Sequence, residues 1–136
     1  MSETITRNDL TNILNEVLPS QSVDYIVEQG TDINGWYYRK WNSGIAEAWK
    51  EEVKNAVVNS TWGNLYTSPT LSSSFPAGLF TSVPCVSIYV TGSYSAFLTN
   101  SSTTSKDTIT YTICRPTSVS SSQDYTAHIR AVGTWK

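Results

Sequence analysis

The chain holds one histidine, His128, set between Ala127 and Ile129-Arg130 in an alternating segment. An imidazole beside a serine or cysteine would make an activated nucleophile, but no elbow motif supplies that partner. A histidine on a sheet face or at an interface is the reading that remains. Carboxylates are more numerous. Asp24, Glu28, Asp32, Glu47, Glu51, Glu52, Asp107 and Asp124 lack the Asp-x-Asp or loop spacing that gathers calcium or magnesium, and the glycines stand singly rather than in a phosphate-cradling run. A glycosidase needs two carboxylates facing each other across a cleft, and Glu47 would need a partner from a distant part of the chain. The expectation is a protein that is not an enzyme and uses no metal or cofactor.

The segment from Trp36 to Trp49 is denser in side chains able to grip a ligand. It reads as two strands joined by a three-residue loop, with Gly44 free to take the left-handed conformation on which such loops end. Trp41 then stands opposite Ile45, Arg39 opposite Glu47 and Tyr37 opposite Trp49, and alternation puts all six on one face. Trp36, Tyr38, Lys40, Ala46, Ala48 and Lys50 take the other. An Arg–Glu pair between two rungs of rings has two explanations. In one, the face is core or a subunit interface and each charge compensates the other. In the other, it is a sugar-binding platform, with rings stacking on C–H faces while Arg39 and Glu47 hydrogen-bond hydroxyls. The structural explanation is preferred, because most aromatic cross-strand pairs simply stabilise sheets.

Around this hairpin the spacing predicts one helix and a series of strands. Thr6 to Leu18 carries Leu10, Ile13, Leu14, Val17 and Leu18 along one stripe, with Thr6 and Asp9 resembling a capping box and Pro19 as a stop. Too short to stand alone in water, this helix must pack on its own domain or on copies of itself. Strands are expected near Asp24–Gln29, Trp36–Trp41, Ile45–Glu51, Val53–Val58, Trp62–Tyr66, Val83–Val90, Tyr94–Leu98, Thr108–Cys114 and Tyr125–Trp135, with a helical turn as the alternative over Glu51–Val58. Thr67 to Ser82 reads as a long connection pinned by Phe75, Leu79 and Phe80.

Composition narrows the function further. At 136 residues the chain suits one domain, and its net charge of −2 comes with scattered Lys and Arg. No basic stripe is present of the kind that neutralises nucleic-acid phosphates. Charged residues are only 15% of the chain while five Trp and eight Tyr accompany abundant Ser, Thr and Asn, which suits sheets with polar, uncharged faces. No signal-peptide core is evident and no apolar run approaches the roughly 20 residues of a membrane span. The expected product is made in the cytosol, stays soluble and does not insert in a membrane. Cys85 and Cys114 are expected as free thiols.

Asp24-Tyr25-Ile26-Val27-Glu28-Gln29-Gly30, the Trp36–Trp49 hairpin, Phe75-Pro76 with Phe80, and the ending His128-Ile129-Arg130-Ala131-Val132-Gly133-Thr134-Trp135-Lys136 together resemble the C-terminal domains of tail-fibre and minor structural proteins of phages and prophages of Gram-positive gut bacteria. The resemblance covers about residues 23 to 136. That family looks like an all-β, antiparallel sandwich similar to the H-type lectins, in which Phe-Pro and then Pro-x-Val precede the central strands, as Phe75-Pro76 and Pro84-Cys85-Val86 do here. It implies a non-catalytic homotrimer on the virion tail, in contact with other phage tail proteins and binding a host cell-surface polysaccharide at outer loops or subunit junctions. The lectins' ligand residues have no position-by-position match. The candidate ligand-binding residues are therefore chosen on local chemistry: Tyr37, Arg39, Trp41, Glu47, Trp49, His128 and Arg130. Residues 1–22 are expected to form a short N-terminal helix for attachment or oligomerisation, and 23–136 the sandwich. A purely structural trimeric virion protein is the alternative, and a host-encoded lectin or wall-binding module a third reading.

Overall fold

The computed structural model describes residues 6–8, 23–92, 95–100 and 104–136. Apart from residues 6–8, the helix expected over Thr6 to Leu18 lies outside them. The rest is β-structure: β1 (Ile26–Thr31), β2 (Tyr37–Trp41), β3 (Ile45–Ala56), β4 (Ser60–Trp62), β5 (Leu65–Thr67), β6 (Leu71–Ser74), β7 (Cys85–Thr91), β8 (Phe97–Asn100), β9 (Thr108–Arg115) and β10 (Gln123–Thr134). The first sheet runs β1-β2-β3-β10-β7, the second β4-β5-β9-β6 with β8 also on β9. Every described pairing is antiparallel.

Period-two alternation explains how the sheets share a core. The inner face of the first sheet carries four small residues, Ala46, Ala48, Ala127 and Ala131, all buried. Small side chains leave a gap, and large ones fill it: Trp36, Phe75, Leu79 and Phe80 join Ile109, Tyr111 and Ile129 in one cluster. Trp36 and Phe75 rings lie 5.4 Å apart, and Phe75 meets Phe80 edge-on at 5.3 Å. The close approach reaches Gly133, where an added Cβ would come within 2.9 Å of Phe80 Cδ1. Phe75, Leu79 and Phe80 thus pin their connection as the sequence predicts.

Polar residues also enter the space between the sheets. Glu52 on β3 accepts hydrogen bonds from Tyr111 Oη at 2.6 Å and Ser73 Oγ at 2.9 Å. Its carboxylate also faces Lys50 Nζ at 3.2 Å and Lys54 Nζ at 3.9 Å. Burial, reinforced by the bond to Glu52, pushes the Tyr111 phenol far above its usual range.

Three expectations are corrected here. Ile45–Glu51 and Val53–Val58 are not two strands, nor is Glu51–Val58 a helical turn, because β3 runs unbroken along β10 through twelve residues. Trp62–Tyr66 is not one strand; it is the turn and flanks of a hairpin, β4 pairing with β5 around Gly63 at φ +61°. The connection from Thr67 to Ser82 contains a strand, β6, whose Ser-rich sequence hides a full pairing with β9. Cys85 and Cys114 lie on different sheets as free thiols, the first exposed and the second buried.

The β2–β3 turn is held from outside. Gly44 adopts φ +100° and donates to Trp41 O at 3.0 Å, while Asp24 accepts hydrogen bonds from both Ser43 N and Ser43 Oγ. The Ser43 hydroxyl bond, with the amides of Ser43 and Tyr25, holds the Asp24 carboxyl below the ordinary aspartate range. A lowered folded-state pKa gives a contribution that is complete above the unfolded value and lost as pH falls through the folded one. We therefore expect the Asp24 carboxyl, followed by NMR, to titrate below a free aspartate, with the Ser43 amide resonance moving at the same midpoint. An ordinary midpoint would show that the clamp does not form.

Candidate functional site

Strand register assembles the site on the outer face of the first sheet. One rung crosses four strands as Tyr37, Trp49, Arg130 and Ser87. The next carries Glu51, His128 and Tyr89, and the rung on the other side Arg39, Glu47, Val132 and Cys85. Because the pleat sends alternate residues to opposite faces, all of these point away from the core that holds Ala46, Ala48, Ala127 and Ala131.

Two ring pairs stand over this surface. Tyr37 and Trp49 are stacked with centroids 5.9 Å apart and 16° between planes. Tyr89 and His128 are stacked more closely, at 4.3 Å and 6°. Between and around them runs an open groove of about 730 Å³ with Lys50, Glu51, Ser87 and Arg130 among its polar lining. Tyr37 is 53% and Tyr89 61% exposed, so both present ring surface to solvent on this face. Apolar ring faces with a few fixed polar groups are the ingredients of a small-molecule or saccharide site.

The polar groups are held by one another. His128 Nε2 lies 2.9 Å from Thr91 Oγ1 and Nδ1 lies 3.0 Å from Glu51 Oε1, so both ring nitrogens are engaged and the imidazole is locked flat against Tyr89. Glu47 accepts from Trp41 Nε1 at 3.2 Å through one oxygen and from Arg130 Nη2 at 2.8 Å through the other. The hydroxyl–imidazole–carboxylate series Thr91–His128–Glu51 has the distances of a catalytic triad. Its hydroxyl is a threonine's in an extended strand, with no strained turn to present it, and we read the series as a brace for the ring.

All seven candidate residues thus fall on one face. Tyr37, Trp49, His128 and Arg130 line the groove itself, while Arg39, Trp41 and Glu47 adjoin it. One expectation about this face is narrowed and one corrected. The structural explanation allowed the face to be core or a subunit interface, and it is not core, because Trp36, Ala46 and Ala48 on the opposite face are the fully buried ones. Arg39 and Glu47 stand opposite each other as predicted yet form no ion pair, because Glu47 turns to Arg130, and Arg39 lies over Trp49 with Cζ 5.1 Å from the ring centroid. Sequence reasoning missed Glu51, Ser87, Tyr89 and Thr91. A signal existed for the last three, since Ser87, Tyr89 and Thr91 alternate with Val86, Ile88 and Val90 along β7.

Among solved structures, the chain matches the C-terminal part of the P. aeruginosa R1 pyocin fibre with a TM-score of 0.57 at 13% identity, over 96% of this chain and 32% of that one. Its fold is similar to that of a pyocin fibre. An N-truncated R1-type pyocin tail fibre matches at the same score and identity, over 97% of this chain and 99% of the other. The chain therefore spans about a third of the longer pyocin fragment and the whole of the shorter one. At this identity the likeness concerns the course of the backbone, not individual side chains. No family model matches the chain, and no curated protein sequence does.

Proposed function

We propose that this chain is the receptor-facing domain of a phage tail fibre, and that it binds a host cell-surface glycan through the groove on the outer face of its first sheet without catalysing a reaction. The observation that carries this reading is the display of two stacked ring pairs, Tyr37–Trp49 and Tyr89–His128, around one open groove whose polar groups are already braced. Rings held flat and exposed cost little entropy to use, and prebraced polar groups need no rearrangement when a ligand arrives. The likeness to pyocin tail fibres supports the setting, a homotrimer on the virion tail joined to other tail proteins. Within it, the two antiparallel sheets over one core serve as an H-type-lectin-like sandwich, and residues 1–22 as the attachment segment. The host, on the resemblance of the motifs above, is a Gram-positive gut bacterium.

Fluorescently labelled chain is expected to decorate host cells saturably, and free wall polysaccharide to compete it off. Mass measurement in solution is expected to give three chains per particle. Absence of labelling together with absence of polysaccharide binding would overturn the adhesive reading. One observation favours a purely structural virion protein as the second reading: Ile45, Val53 and Val132 share the groove's face and are 43%, 65% and 37% exposed, as a surface awaiting another protein would be. Under that reading, disrupting the face blocks virion assembly and leaves cell labelling absent from the start.

A further inference from the structure

The Tyr37–Trp49 side of the groove ends on a guanidinium that has no hydrogen bond or ion pair among the described residues. Arg39 rests over the Trp49 ring, and its Nε is buried with no hydrogen-bond partner. The carboxylate directly across the hairpin is engaged elsewhere, since Glu47 gives one oxygen to Trp41 and the other to Arg130. The other arginine of the face, Arg130, has Glu47 beside it, and Lys50, on the opposite face of β3, has Glu52. Arg39 is the cation left over.

A guanidinium presents five N–H donors in a planar fork, and an oxyanion that accepts two of them in parallel is its best match. Leaving a buried N–H without an acceptor is unfavourable, and the indole compensates for the charge only in part. An arginine pinned on a groove-lining ring, with its fork free, is preorganised for a ligand that brings a negative charge. We infer that the ligand of this groove is an anionic saccharide, with Arg39 holding a phosphate or carboxylate substituent beside the sugar that packs on the exposed Tyr37 ring. This rests on the glycan-binding reading above and adds the charge of the ligand to it.

The test uses the whole chain and host wall polysaccharide in three forms: native, dephosphorylated with hydrofluoric acid, and carboxyl-reduced after carbodiimide activation. One treatment is expected to weaken binding about tenfold or more, the size of a lost charge-assisted contact, and which one does so names the substituent. Arg39→Gln is expected to erase that preference, with native and treated polymer binding alike, and Arg39→Lys to restore only part of it, because it keeps the charge without the fork. Thermal melting and solution mass accompany each variant. If all three forms bind the unmodified chain equally while loss of Tyr37 and Tyr89 still abolishes binding, the groove binds a neutral glycan and the inference fails alone. If the preference survives Arg39→Gln, or that variant changes the oligomeric mass instead, Arg39 does not read the ligand's charge. If no form binds, the glycan reading falls and takes this one with it.

Discussion

A chain carrying both Tyr37→Ala and Tyr89→Ala is expected to lose at least about 30-fold of its affinity for host polysaccharide, the effect of removing roughly 2 kcal/mol of hot-spot contact. Each substitution takes one ring from one side of the groove. Tyr37 leaves Trp49 without its stacked neighbour, and Tyr89 leaves His128 without the ring against which it lies. Since 53% of Tyr37 and 61% of Tyr89 already meets solvent, little core is lost, and the melting temperature is expected to move by no more than about 5 °C. Binding and stability therefore separate. Unchanged affinity in a folded double variant would place the receptor site elsewhere on the molecule, whereas a large fall in melting temperature would mean that the ring pairs hold the sheet.

The second large effect is on stability. Glu52→Ala is expected to destabilise the fold by about 3–5 kcal/mol, the usual result of removing one partner from a buried charged group. The Glu52 carboxylate is only 9% exposed, and its loss leaves the Tyr111 hydroxyl, Ser73 Oγ and Lys50 Nζ without the acceptor between them. A domain of this size would then melt roughly 10–20 °C lower. Glu52→Gln keeps an oxygen for Tyr111 but no charge for Lys50 and is expected to fall between the two. Equal melting of Glu52→Ala and the unmodified chain would show that the charged cluster contributes nothing net to joining the sheets. Glu52→Leu is informative beside these, because an apolar replacement of similar volume removes the desolvation cost along with the bonds.

These two sites differ in how far they could be read before folding. The Tyr37/Trp49 rung follows from a local rule: a three-residue loop ending on Gly44 sets the register, and register sets the face. Which face turns inward does not follow. Both faces of the hairpin carry rings, Trp36 and Tyr38 on one, Tyr37, Trp41 and Trp49 on the other, so aromatic content cannot choose between them. The choice was made by Ala46 and Ala48, whose small size admits Phe75 and Phe80 from a distant connection. The same limit hid β6, since Leu71-Ser72-Ser73-Ser74 has too little hydrophobic alternation to announce a strand that β9 nonetheless pairs.

Local spacing thus determined the all-β character of residues 23–136 and the hairpin register. Tertiary structure alone decided that β10 lies between β3 and β7, and so brought His128 to Glu51 and to Thr91 across 77 and 37 residues of chain. It also gave Glu47 to Arg130, 83 residues away, in place of the Arg39 that faces it. The physical reason is the reach of each interaction. A turn constrains neighbours through a few backbone angles, whereas strands far apart in sequence choose partners by how their faces bury, and that choice exists only once the sheets have closed over their core.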